Sequence, residues 1–180
     1  MKSVLISIQP YWVFLIIAKT MGWNIDKEKT VEVRKNHPKD ENWDKVAKIY
    51  CSKDKNSFAK IPKEYQPFME QFLGKVIGEF VCENIAKGTS QLGSCLTMRE
   101  ISEYANGKEV YGWHISDLVI YDKPKELCEF RKECKLECDM RSLKEPPCEK
   151  CEHLVASFGC GRTITRPPQS WCYVEGSDTE

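Results

Sequence analysis

The stretch Glu28 to Pro38, EKTVEVRKNHP, holds the residues best placed to do chemistry. Side chains alternate along an extended strand, so Thr30, Glu32 and Arg34 share one face and Val31 and Val33 share the other. A hydroxyl, an acid and a base in a row, backed by valines, has two readings. One is a solvated sheet face, where a Glu32–Arg34 pair contributes about 0.2–1 kcal/mol. The other is the polar wall of a cleft. Lys29 adds a second cation, and a lysine beside a carboxylate can be tuned for proton transfer. Lys29 and Glu32 are therefore the acid–base pair of an alternative reading, a hydrolase acting on a nucleoside or on RNA.

Cysteine supplies the second signal. Seven of the ten cysteines lie between Cys128 and Cys172. Cys134-x3-Cys138 is followed by nine residues and then by Cys148-x2-Cys151. Two close pairs joined by a short loop suit tetrahedral thiolate ligation of a structural zinc ion, with Cys128, His153 or Cys160 able to replace one ligand. The alternative is a set of free thiols in a polar insert. Lys132, Lys135, Lys144 and Lys150 surround these positions and would favour the thiolate form. A zinc-dependent adaptor, whose insert contacts an unknown protein partner, is a third reading of the chain. Cys51, Cys82, Cys95 and Cys172 read as ordinary core or near-core residues.

Trp113 and His114 stand out within GWHISD. A tryptophan beside a cleft can stack a base; core packing is the other reading of Trp113 and, given the apolar helix around it, the favoured one for Trp12. Ser170 and Trp171 follow Pro167-Pro168, which stiffens the approach to the final strand. His114, Ser116 and Asp117 are neighbours in sequence, which is no evidence of a catalytic triad.

The elements that must position these residues follow from periodicity. SVLISI (3–8) is a short β-branched strand. Pro10 suits the first turn of a helix, and 11–21 continues as that helix until Gly22. Residues 29–35 and 45–52 are further strands, and 62–72 is a short helix. GKVIGEFVCENI (74–85) is one strand, with Gly78 marking a bulge or a close backbone approach. Thr97 and Glu100 have capping-box spacing at the head of a helix over 97–105, which Asn106-Gly107 stops. Residues 110–114 read as irregular, 118–121 as a strand, and 124–130 as a short helical turn. Residues 162–164 and 171–174 read as the last strands. No dinucleotide fingerprint or phosphate loop occurs.

The chain has 180 residues, 41% hydrophobic and 30% charged, which fits one globular domain with a genuine core. Its formal net charge is zero, so any polyanion must be met by a local patch rather than by a global field. Lys2 and the apolar stretch after it resemble a signal peptide, but Gln9-Pro10 interrupts the run and no small-x-small site follows Ala18. The uninterrupted part, 11–18, is far shorter than the ~20 residues a membrane-spanning helix needs. A cytoplasmic protein without a membrane partner is the expectation.

Four stretches together resemble the ASCH-domain family of the PUA-like superfamily: KSVLISIQPYWVFLI, EKTVEVRK, GKVIGEFVCENI, and YGWHISDLVIYDKPKEL with RPPQSWCYVE. The bacterial and phage branch is the nearer likeness. The resemblance implies an α+β fold, a PUA-like small β-barrel with flanking helices spanning 1–180, with a cysteine-rich insert at 128–161. It implies a cleft lined by Lys29, Glu32 and Arg34, and a binding module for RNA or a modified nucleotide. In that role Arg34 meets a phosphate or base edge, Glu32 accepts from a base amino group, and Lys29 and Thr30 steady the sugar-phosphate backbone. Trp113, His114 and Ser170 are the further ligand-binding candidates. A few small relatives are amidohydrolases of acetylated cytidine nucleosides, or ribonucleases. The amidohydrolase pattern resembles KTxTxR with a nucleophilic threonine, and this chain has Glu32 at that place, a residue that cannot supply the hydroxyl.

Overall fold

A computed structural model describes residues 2–88, 94–132 and 163–175. Residues 133–162 contain Cys134, Cys138, Cys148, Cys151, His153 and Cys160, so the proposed zinc ligands lie outside the described residues, together with most of the cysteine-rich insert.

Two sheets form the frame. The larger has strands β1 (Lys2–Ile8), β3 (Trp43–Cys51), β4 (Val76–Val81), β7 (Ser116–Lys125) and β8 (Trp171–Glu175), in the order β7-β4-β3-β1-β8. β1 and β3 run parallel, and the other neighbours are antiparallel. The smaller sheet has β2 (Val31–Arg34), β5 (Ile85–Lys87) and β6 (Tyr111–His114), in the order β2-β6-β5. Two antiparallel pairs turn the corner between the sheets: β4 leads into β5 through residues 82–84, and β6 into β7 through Ile115 alone. No strand pairing among the described residues closes the two sheets into a barrel, so the fold is an α+β arrangement of two sheets, open where a closed barrel was expected.

Helix α1 (Pro10–Ile17) starts on Pro10 and has Val13, Phe14, Leu15, Ile16 and Ile17 buried. It is shorter than the apolar run suggested, because turns carry residues 18–22 to Gly22 at φ 67°. Its buried face meets Val4, Ile6, Ile8, Ala47, Ile49, Ile77 and Phe80 from one face of the large sheet. On the sheet's other face, Leu5, Tyr50, Val76 and Val174 are covered by Phe130 and Ile164. There Lys48 is 2% exposed and pairs with Glu79 at 2.8 Å, and Tyr121 donates to the same carboxylate at 2.6 Å. Burial by itself would raise the Glu79 pKa, but the hydrogen bonds from Lys48 and Tyr121 outweigh it and hold the carboxyl below its ordinary value. Cys51 and Cys82 are buried thiols, each pushed up to about 12 chiefly by burial, so neither is a nucleophile at neutral pH.

Helices α2 (Lys55–Phe58) and α3 (Gln66–Glu70) are single turns, and α3 is shorter than the expected 62–72. Helix α4 (Met98–Ala105) has the capping box between Thr97 and Glu100 and ends on Asn106 in the left-handed region, as its sequence implied. Its Ile101 and Ala105 pack on Val33 and Val110 of the small sheet. The segment 74–85 divides into β4 and β5. Residues 111–114, expected to be irregular, form β6, which lies between β2 and β5. Gly112 and His114 look loop-like in sequence, yet Gly112 and Trp113 are both buried, and a strand buried on both faces needs no alternating pattern.

Gly78 sits at a register shift between β4 and β7, and a Cβ there would lie 2.2 Å from the Val119 carbonyl oxygen. The obstacle is backbone rather than a flexible side chain, so β7 itself would have to move. Gly78→Ala is expected to destabilise the protein by about 1–3 kcal/mol, read as a lower urea midpoint; an unchanged midpoint contradicts this account.

Candidate functional site

A cleft of about 800 Å³ opens beside the ends of the parallel pair β1 and β3, where β2, α1, α4 and the approach to β8 converge. Strand β2 supplies its floor. Glu32 and Arg34 are 5% and 9% exposed and Lys29 is 3% exposed, so the reading of this face as an open, solvated one is overturned. Thr30 has the strand parity of Glu32 but lies before the strand begins. It is exposed and outside the cleft, where its carbonyl accepts from the Ile115 N–H at 2.9 Å.

Glu32 lies between two cations. Its Oε1 is 2.9 Å from Arg34 Nε and its Oε2 is 3.2 Å from Lys29 Nζ. Lys29 reaches the carboxylate from the opposite parity because it precedes the strand; its Nζ donates to the Val31 carbonyl at 2.8 Å and sits 5.1 Å from the centre of the Trp12 ring. Arg34 Nη2 donates to the Ser7 carbonyl, which ties the small sheet to β1.

The ion pairs are close in distance, yet neither has the direction of a hydrogen bond. Glu32 Oε2 and Arg34 Nε are both buried without a hydrogen-bond partner. One further buried side-chain atom among the described residues, Ser52 Oγ, is in the same state. All three belong to residues that line the cleft. Each such atom costs about 1–3 kcal/mol while it stays unsatisfied. The cleft is thus the place where the fold carries unused hydrogen-bonding capacity.

Helix α4 forms one wall. Glu100, Glu103 and Tyr104 stand on one side of it at helical spacing and face the cleft, while Ile101 and Ala105 hold the helix to the small sheet. Tyr104 is 41% exposed and its ring carries Lys35 Nζ 5.0 Å from its centre. Partial burial raises the Tyr104 pKa, the positive charge of Arg34 opposing it, so the phenol keeps its proton at neutral pH. Pro167, Pro168, Gln169 and Ser170 form the opposite wall. Ser170 is fixed there: its carbonyl accepts from the Ser7 N–H at 2.9 Å and its hydroxyl lies 3.5 Å from Asn36 Oδ1.

Lys29, Glu32, Arg34 and Ser170 therefore come together, whereas Thr30, Trp113 and His114 stand apart from the cleft. Trp113 has no exposed surface. It packs against Trp43 and Trp171 and donates to the Asn36 carbonyl at 3.3 Å, as a core wedge between the sheets. His114 is partly buried and its backbone N–H donates to the Asn84 carbonyl. Trp12, expected in the core, is instead partly buried and lines the cleft. Ser52 and Tyr104 escaped the sequence reading. The spacing of Glu100, Glu103 and Tyr104 was there to be seen, but nothing local says what the helix faces. Among the described residues no cluster of three or more His, Cys, Asp or Glu side chains is arranged to hold a metal ion.

No protein-family model matches the chain, and no curated protein matches it. Solved structures of the ASCH protein of Zymomonas mobilis do. A serine-to-alanine mutant of it is 18% identical, with a TM-score of 0.51 over 96% of this chain and 88% of that chain. A tyrosine-to-phenylalanine mutant is 19% identical, with a TM-score of 0.46 over 71% and 77%. The unmutated protein is 21% identical, with a TM-score of 0.45 over 69% and 73%. The first of these, which spans nearly the whole chain, shows that this protein has the fold of an ASCH domain, the fold that its motifs resemble.

Replacing Glu32 would leave Lys29 and Arg34 buried side by side without a counter-charge. Glu32→Leu is expected to cost about 3–5 kcal/mol. Ser52→Ala removes a buried hydroxyl with no intramolecular partner and is expected to stabilise the protein by about 1–3 kcal/mol. Chemical denaturation of the two variants measures both, and a stable Glu32→Leu protein would show that the triad does not hold the fold.

Proposed function

We propose that the chain is a nucleic-acid-binding module whose cleft takes RNA or a modified nucleotide, with the base edge at Glu32 and Arg34. The observation that carries this reading is the buried pair Glu32 Oε2 and Arg34 Nε, an acceptor and a donor without hydrogen-bond partners in one cleft. A nucleobase edge offers donors and acceptors in one plane and can answer both. The ASCH fold supports the same reading by analogy, which is a weaker warrant, because a fold hosts many functions. Ser170 and Trp12 bound the space in which the base would lie.

Arg34→Lys keeps the charge but removes the Nε–H and the planar fork. Titrated with single-stranded RNA at fixed salt, this variant should bind about tenfold more weakly than the parent, the scale of one good base contact. Equal affinity would count against the site, and no affinity in the parent would count against the function.

The paired cysteines 134, 138, 148 and 151 complete the proposal with a structural zinc ion, which would order a segment too polar to build its own core. Metal analysis of the purified protein is expected to give about one equivalent of zinc, reduced by Cys148→Ser. A metal-free, folded parent protein would remove zinc from the proposal.

A further inference from the structure

The charges around the cleft are not those of a phosphate site. Lys29 and Arg34 are the cations among its lining residues, against the four carboxylates of Glu32, Asp54, Glu100 and Glu103. Their placement is layered. The two cations are buried at the floor and share Glu32. Asp54 is partly exposed, and Glu100 and Glu103 are exposed.

The acids at the rim have different partners. Asp54 accepts from the Ser57 N–H at 2.9 Å and from Gln9 at 3.2 Å, and Glu100 accepts from the Thr97 N–H at 2.7 Å and the Thr97 hydroxyl at 2.8 Å. These hydrogen-bond donors are neutral, with Lys27 and Lys60 acting on Glu100 only through space, whereas Glu103 pairs with Arg99 at 2.8 Å. The aromatic rings of the walls already accept cations. Lys29 lies over Trp12 and Lys35 over Tyr104, and the Lys35 end of the second contact is on an exposed residue that a ligand can displace. Glu32 Oε2, ion-paired with Lys29 but without a hydrogen bond, puts a further acceptor at the floor. Rotation about the last bond of a glutamate is soft, so a small turn presents that oxygen to a ligand.

From this layering we infer that the cleft selects a nucleobase carrying a positive charge, such as an N-methylated ring, and keeps phosphate outside its rim. The inference rests on the nucleotide reading above and adds the charge class of the ligand. A fixed cation gains from the rim carboxylates, from the Tyr104 face and from Glu32, while a phosphate at the mouth meets like charge.

Three ligands of nearly the same shape test it: 1-methyladenosine, adenosine and adenosine 5′-monophosphate, titrated into the full chain at low salt. The methylated nucleoside is expected to bind about fivefold or more tighter than adenosine, and adenosine tighter than its monophosphate, the spread shrinking as salt screens the rim. Glu103→Gln, at an exposed position outside the core, should narrow the gap between the methylated and parent nucleosides. Equal or tighter binding of adenosine or of the monophosphate at low salt overturns the inference and leaves the nucleotide reading standing. No binding of any of the three, with single-stranded RNA also failing, overturns both.

Discussion

A carboxylate held between two buried cations is the constraint on which the site depends. Glu32 contacts Lys29 and Arg34, and all three side chains are almost wholly withdrawn from water. Withdrawing charge from water costs several kcal/mol per ion, and mutual attraction offsets it only when the geometry is good and the remaining donors are satisfied. Here part of that satisfaction comes from backbone: the Val31 carbonyl for Lys29 and the Ser7 carbonyl for Arg34. The Ser7 contact also reaches across to the large sheet. The triad therefore joins β2 to β1 at the point where the cleft opens, and the two atoms left without hydrogen bonds lie at that junction.

The rest of the molecule can be understood as what keeps this junction in place. Two sheets, joined where β4 runs into β5 and β6 into β7, enclose Trp113, which packs between Trp43 on β3 and Trp171 on β8. Asn36, just beyond β2, fixes both indoles: its carbonyl accepts from Trp113 and its side-chain oxygen accepts from Trp171 at 2.8 Å. The β2 exit, the core tryptophan and the final strand thus meet on one asparagine. The open end between the sheets, which a closed barrel would seal, is where the floor of the cleft forms. An apolar core of this density gives each polar group near its edge a defined position.

Much of the frame was legible because it is written in local chemistry. β1, β3, the capping box of α4 and its left-handed stop at Asn106 each follow from a few adjacent residues. Gly78 announced a close approach, and the Val119 carbonyl supplies it. The site was legible in part. The alternation of Glu32 and Arg34 against the valines was visible, but alternation alone does not distinguish a solvated face from a buried one. What settles it is α4, which covers the Val33 side, together with the long-range contact of Arg34 with Ser7. Ser52 and Tyr104 were beyond reach for the same reason: each belongs to the cleft through partners far away in the chain. Trp113 was misleading in the opposite sense, since a tryptophan between a glycine and a histidine is dressed like a loop residue while it fills the core.

The floor and the rim of the cleft obey different rules, and that difference bears on what the site can recognise. At the floor, water is excluded and charges interact strongly, so Glu32, Lys29 and Arg34 form a set that one altered side chain unbalances. At the rim, Glu100 and Glu103 stand in solvent, where each charge is screened over about 8–10 Å. Rim charges therefore do not hold the fold and can vary at little cost to stability, and in the proposed role they would tune selection. The triad cannot vary in that way, because its members hold the fold and, in the proposed role, would also face the ligand. Glu32 is the member that binds the set, because its carboxylate knits two buried cations into the strand that floors the cleft.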